Sequence, residues 1–101
     1  MTKVSRRQTN PAEERQLIKE FWEDLESLDR RERLRFLQAL FTPTEIKMFS
    51  KRLGAFKLLY RRKSYNEISR KLNLTPTTIN KLSNILHRAD DFLLRVIAKL
   101  C

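Results

Sequence analysis

The chain has very little of the residue types that build disulfide frameworks, metal sites and phosphate-binding loops. It holds one cysteine, one histidine and one glycine among 101 residues. Cys101 alone cannot form an internal disulfide, and a chain otherwise free of cysteine fits a reducing compartment. His87 and Cys101 give no pair of ligands at zinc spacing, and Gly54 alone cannot form a glycine-rich phosphate loop. We therefore expect no metal and no cofactor.

Long apolar runs and catalytic groupings are also missing. No run of about 18 apolar residues offers a membrane span, and the first residues lack the apolar core of a signal peptide. His87 has no acid or nucleophile beside it in the sequence, and a lone histidine near a helix end is typically a capping cation. We expect a cytoplasmic, bacterial-type protein that has no membrane partner and is not an enzyme.

Positive charge is abundant and unevenly placed. The formal net charge is +10, yet residues 1–41 carry nine Lys/Arg against eight Asp/Glu, whereas residues 42–101 carry thirteen against four. A basic field of this kind is the electrostatic footprint of a face that binds a polyanion. The excess of positive charge lies in residues 42–101.

Apolar spacing predicts six helices and no strand. Residues 1–10 form a flexible basic arm, and residues 11–101 form a single helical domain. Within it we expect dimerisation helices over 11–41, a long central helix over 43–61, a helix-turn-helix over 64–86 and a C-terminal helix over 90–101. The three prolines, at 11, 43 and 76, each stand at a predicted helix start, where their fixed φ is suited to the first turn.

The segment 64–84 carries the pattern of a helix-turn-helix. Ser64 caps its first helix and Asn73 makes the turn, since asparagine tolerates positive φ. Thr75 caps its second helix, which sends Ile79 and Leu82 inward. The outward side chains of that helix are hydroxyls, amides and a cation, the groups that pair with base edges and phosphates. The pattern predicts a recognition helix that enters the major groove of DNA.

The predicted helices over 11–41 carry more apolar surface than one small chain can bury, which favours a shared core between two copies. The predicted dimer-core residues are Leu17, Phe21, Trp22, Leu25, Phe36, Leu37 and Leu40.

Residues 36–86 resemble the tryptophan repressor superfamily, in particular its YerC/YecD-like branch. The resemblance lies in the residues LFTPTE at 40–45, RL at 52–53, KLL at 57–59, KSYNEI at 63–68 and TTI at 77–79. It implies an all-α, six-helix fold that forms an intertwined homodimer with two DNA-reading heads.

The resemblance also implies an effector pocket that this chain has altered. Tryptophan-binding members hold indole between the long helix and the recognition helix, with an arginine from each. Arg52 matches the first arginine, whereas Lys81 replaces the second, and Leu82 and Ile85 stand where the family has glycine and serine. Lysine lacks the planar fork of arginine, and the branched side chains are expected to fill the space. These four residues would form a vestigial pocket, and L-tryptophan would not act as corepressor.

The sequence therefore predicts a transcriptional repressor that binds a palindromic operator as a dimer and associates with the nucleoid when bound. The predicted base-reading residues are Thr75, Thr77, Thr78, Asn80, Lys81 and Asn84. The predicted phosphate contacts are Lys51, Arg61, Arg62, Lys63, Ser64, Arg70 and Lys71. The alternative is a helical protein–protein interaction module in which the helix-turn-helix is degenerate and Phe21 and Trp22 bind another protein. A small-molecule effector is left open.

Overall fold

A computed structural model of the chain describes residues 10–101, so most of the predicted basic arm lies outside the described residues. The described part is all-helical, with no strand between residues 10 and 101. Its six helices are α1 (Pro11–Ser27), α2 (Arg30–Leu40), α3 (Pro43–Tyr60), α4 (Tyr65–Leu72), α5 (Pro76–Arg88) and α6 (Asp91–Leu100). The six-helix, all-α prediction is confirmed. Two compact units divide the chain, one ending at Ile46 and the other spanning Lys47–Cys101.

Local capping chemistry sets where the helices begin. Proline is the first residue of α1, α3 and α5, as the sequence predicts. The Asn10 side chain accepts from the amide of Ala12 at 2.8 Å and so caps α1. At α2 the capping box is complete, because Asp29 accepts from the Glu32 amide at 2.8 Å and Glu32 accepts from the Asp29 amide at 3.1 Å.

In the unit that ends at Ile46, Arg33 ties α1 to α2. Its guanidinium donates to the carbonyl of Leu25 at 2.8 Å and to the carbonyl of Leu28 at 2.9 Å. These carbonyls lie at the C-terminal end of α1, where the Leu25 carbonyl also accepts from the Leu28 amide at 3.4 Å. Leu25 is the buried apolar residue of α1. The Arg33 side chain on α2 thus supplies hydrogen-bond donors to backbone carbonyls at the end of α1.

In the unit Lys47–Cys101, the core forms where α3, α4 and α5 meet. Ile68 and Ile79 are completely buried, and Ala55, Leu58 and Leu82 complete the cluster. Partly buried side chains pack around it: Phe56, Leu59, Leu72 and Leu74. The helix-turn-helix is therefore anchored on the second half of the long helix α3.

The end of α3 departs from what the sequence indicates. Arg62 adopts a left-handed φ of 61°, although its type gives no signal for that conformation. Its amide donates to the carbonyl of Leu59 and the amide of Lys63 donates to the carbonyl of Leu58, each at 3.0 Å. This pair of bonds is a Schellman motif, which satisfies the last carbonyls of the helix and stops it at Tyr60.

No helix within residues 10–101 combines the length and the apolar composition that a membrane crossing requires.

We predict that Ile79→Ala lowers the free energy of unfolding by about 2–4 kcal/mol, because it empties space in a site with no solvent access. The matched control is Ile85→Ala on the same helix, where the side chain is 49% exposed and the loss should stay below about 1 kcal/mol. Urea unfolding followed by circular dichroism at fixed protein concentration measures both. Equal losses for the two variants would contradict the assignment of the core.

Candidate nucleic-acid interface

The turn between α4 and α5 has the geometry that the sequence predicts. Asn73 ends α4 in the left-handed region, with φ 54° and ψ 53°. The Ser69 hydroxyl donates to the carbonyl of Leu74 at 2.6 Å, and Leu74 packs on the core of the unit. The bond and the apolar contact together fix the path of the chain into α5.

Helix α5 has one buried side and one exposed side. Its buried residues are Ile79, Leu82, Ser83 and Leu86. On the other side, Thr77, Asn80, Lys81 and Asn84 are exposed. Two amides, one hydroxyl and one ammonium group are therefore accessible on consecutive turns of a rigid helix. Four of the six predicted base-reading residues share this exposed side.

The other two predicted base-reading residues, Thr75 and Thr78, are engaged with each other. Thr75 Oγ1 accepts from the Thr78 amide at 3.2 Å as the N-cap of α5, and its hydroxyl donates to Thr78 Oγ1 at 3.0 Å. Thr78 is also half-buried. The hydroxyl of Thr75 thus has a structural task at the start of the helix.

The predicted phosphate contacts surround the helix-turn-helix. Six are exposed, namely Arg61, Arg62, Lys63, Ser64, Arg70 and Lys71, whereas Lys51 is half-buried on α3. Ser64 caps α4 by accepting from the Glu67 amide at 3.1 Å. Among the described residues these cations have no carboxylate partner, and the unit Lys47–Cys101 carries thirteen Lys/Arg against three Asp/Glu. The unit therefore presents a strongly positive surface.

Tyr65 is absent from the predicted site but contacts one of its predicted residues. It is the first residue of α4, its side chain is 38% exposed, and its hydroxyl lies 3.5 Å from Asn80 Oδ1 on α5. The two residues are fifteen positions apart, so helical periodicity carries no signal for the contact. The sequence signal for this contact is limited to a tyrosine at the predicted start of the helix-turn-helix.

The four residues predicted to form a vestigial pocket line one depression together. Arg52 from α3 and Lys81, Leu82 and Ile85 from α5 surround a cavity of about 450 Å³, with Met48, Lys51, Leu74 and Thr78 completing the lining. Leu82 is buried and Ile85 is 49% exposed, and both side chains belong to the lining of this cavity. A volume of this size lies within the usual range of about 300–1,000 Å³ for small-molecule sites.

Arg52 has an aromatic neighbour at this cavity. Its guanidinium carbon lies 5.9 Å from the ring centroid of Phe49, one turn earlier on α3. This distance is at the outer limit of a cation–π contact, which contributes about 0.5–1 kcal/mol at an exposed site. Arg52 is thus oriented by its own helix. Within residues 10–101, no three His, Cys, Asp or Glu residues lie close enough to hold a metal ion.

Comparison with known proteins identifies one family. The family model described as Trp repressor protein matches residues 16–100, which include all of α2 to α6 and most of α1. No curated protein and no solved structure matches the chain.

We predict that Thr75→Ala lowers the free energy of unfolding by about 1 kcal/mol, because it removes the N-cap of α5. Thr77→Ala is the control, since Thr77 is exposed two positions later and should change stability by less than about 0.5 kcal/mol. Thr75→Ser keeps the acceptor oxygen and should restore most of the loss. Denaturant unfolding measures all three variants, and an unchanged Thr75→Ala would refute the capping role.

Proposed function

The chain belongs to the Trp repressor protein family, and we propose from this that it is a sequence-specific, DNA-binding transcriptional repressor. It binds a palindromic operator as a homodimer. Family membership supports a DNA-binding regulator rather than an enzyme. The proposals of a homodimer, of a palindromic operator and of individual DNA contacts are supported by the surfaces of the chain itself.

The observation that carries the proposal is the two-sided character of α5. The helix is held from behind by Ile79 and Leu82, while its opposite side offers exposed amide, hydroxyl and ammonium groups. A recognition helix needs both properties, because its backbone must be fixed while its outer side chains reach base edges. Had the chain covered this side with its own packing, no groove contact would be feasible.

Asn80 is the base reader we favour. A side-chain amide pairs bidentately with adenine, donating to N7 and accepting from the N6 amino group in the major groove. Thr77, Lys81 and Asn84 lie on the same exposed side and supply further contacts to bases and phosphates. Each good bidentate pair gives about 1–3 kcal/mol of discrimination against a wrong base.

The exposed cations supply affinity that does not depend on sequence. Arg61, Arg62 and Lys63 follow α3, and Arg70 and Lys71 lie in the last turn of α4, so the segments before the recognition helix are positive. Lysine and arginine that neutralise phosphates release condensed counterions, which makes the affinity fall steeply with salt. We assign these residues, with Ser64 and Lys51, to the DNA backbone.

The helices α1 and α2 support self-association. Leu17, Trp22, Phe36 and Leu40 are between 43% and 63% exposed, which leaves much apolar surface in contact with water. The other residues of the predicted dimer core are less accessible: Phe21 and Leu37 are half-buried, and Leu25 is buried within the chain.

Charge complementarity favours a second copy as the partner of this surface. Helix α1 has six Asp/Glu against two Lys/Arg, whereas α2 has four arginines against one glutamate. Two copies of the chain therefore bring opposite charges and exposed apolar surface together. A two-fold symmetric dimer then presents two recognition helices to half-sites about 34 Å apart, and such a site is a palindrome. Repression follows where the operator overlaps a promoter and blocks polymerase.

We further propose that L-tryptophan is not the corepressor. The cavity beside Arg52 has room for a small ligand, but the second cation at its edge is Lys81. An ammonium group is a strongly hydrated point charge and does not stack on a ring as a guanidinium does.

We expect Asn80→Ala and Lys71→Ala to weaken DNA binding in different ways. Asn80→Ala should lower affinity for a selected operator at least about ten-fold and leave affinity for random duplex almost unchanged. Lys71→Ala should weaken both duplexes similarly and reduce the slope of log affinity against log salt by about one. Fluorescence anisotropy over a series of salt concentrations measures both effects. If the two variants weaken both duplexes equally, Asn80 does not read bases.

We expect the wild-type chain to sediment at twice its 12.2 kDa mass. Trp22→Gln should raise the dimer dissociation constant at least about ten-fold, because a side chain 63% exposed in one chain would be buried by the partner. Arg15→Gln is the control, since it introduces the same residue at another exposed position of α1.

Sedimentation with DNA present separates the alternatives. A dimer that binds duplex supports the regulator. A wild-type monomer that binds no duplex at low salt would contradict it and would favour the interaction module, in which Phe21 and Trp22 contact another protein.

A further inference from the structure

The contact between Tyr65 and Asn80 joins the two helices of the helix-turn-helix at their accessible surface. The Tyr65 hydroxyl lies 3.5 Å from Asn80 Oδ1, which is longer than the usual O–H···O hydrogen bond of about 2.5–3.0 Å. Both residues are exposed, so neither the contact nor its environment is buried in the core. The contact therefore bears on the recognition surface more than on stability.

The chemistry of the amide makes this neighbour important. Asparagine reads adenine only when its oxygen faces the N6 amino group and its nitrogen faces N7. A free side-chain amide can rotate and exchange the two ends. A hydroxyl that donates to Oδ1 favours the rotamer in which that oxygen is held, and Oδ1 keeps a second lone pair for the base.

We propose that Tyr65 is a positioning residue that fixes the amide of Asn80 for adenine readout. The inference rests on the proposed function and deepens it, because it names a residue that sets specificity without itself reading a base. Tyr65 stands at the first position of α4, and the rigid packing of Ile68 against Ile79 maintains the spacing between the two helices. Its ring therefore delivers the hydroxyl to a fixed place beside α5.

The alternative task for an exposed tyrosine at this position is a phosphate contact. Hydroxyls donate to phosphate oxygens in many protein–DNA complexes, and such a contact carries no sequence information. The two roles predict different measurements, since a phosphate contact affects every duplex and a positioning residue acts only through Asn80.

The test is Tyr65→Phe, which removes the hydroxyl and keeps the ring. We expect affinity for the selected operator to fall about 3- to 10-fold, as for loss of one hydrogen bond, with affinity for random duplex and the salt slope unchanged. The loss should concentrate at one adenine, so that operators with that base replaced no longer distinguish the variant from the wild type. Tyr60→Phe is the matched control, because Tyr60 is 43% exposed at the end of α3 and has no assigned contact with Asn80 or with a base.

A double-mutant cycle with Asn80→Ala isolates the coupling. In the Asn80→Ala background, Tyr65→Phe should have no further effect on operator affinity. A loss that persists in that background, or that appears equally with random duplex, would overturn the proposal in favour of a phosphate contact. If Asn80→Ala reduces specificity and Tyr65→Phe does not, the positioning role fails and the regulator stands. A wild-type chain without operator preference would overturn both.

Discussion

The burial of Ile68 against Ile79 is the constraint on which the recognition surface depends. Each side chain has lost all contact with solvent, and together they join α4 to α5 over the end of α3. Protein cores are packed at crystal-like density, so this contact fixes the rotation of α5 about its axis as well as its distance from α4. Because the rotation is fixed, Asn80, one position after Ile79, must lie outside the core. The packing of Ile68 against Ile79 thus determines which side chains of α5 are available for the proposed contact with DNA.

Much of this arrangement could be predicted because its determinants are local. A cap at Thr75, a proline at 76 and a turn former at Asn73 act on neighbouring backbone groups, so residue types and spacing suffice to place α5. The left-handed residue that ends α3 could not be predicted. Arginine is a poor choice for positive φ, and at Arg62 the Schellman bonds and the entry into α4 impose the conformation. The backbone hydrogen bonds that end the helix overrode the preference of the residue type there.

The parts of the site that escaped prediction join residues far apart in sequence. Tyr65 contacts Asn80 across the turn, at a separation of fifteen positions. The resemblance predicts that Arg52, Lys81, Leu82 and Ile85 lie together, but the volume of the cavity that they line does not follow from residue types. Residue types alone suggested that Leu82 and Ile85 would fill that cavity. The volume left in a cavity depends on the directions of its side chains, however, and both residues lie in the lining of a space of about 450 Å³. Side-chain direction depends on helix rotation, which the tertiary packing sets.

In the proposed DNA complex, affinity and specificity come from different residues of the same unit. The cations around α4 act through a long-range field that any polyanion satisfies, and salt weakens it. The amides of Asn80 and Asn84 act only within hydrogen-bond distance of a base, and salt changes their contribution little. A substitution among the cations therefore shifts binding to all DNA together. If Asn80 reads bases as proposed, a substitution there changes which sequence is preferred while the positive surface and the core remain intact. A few exposed positions of α5 would then suffice to redirect the proposed regulator to a new operator.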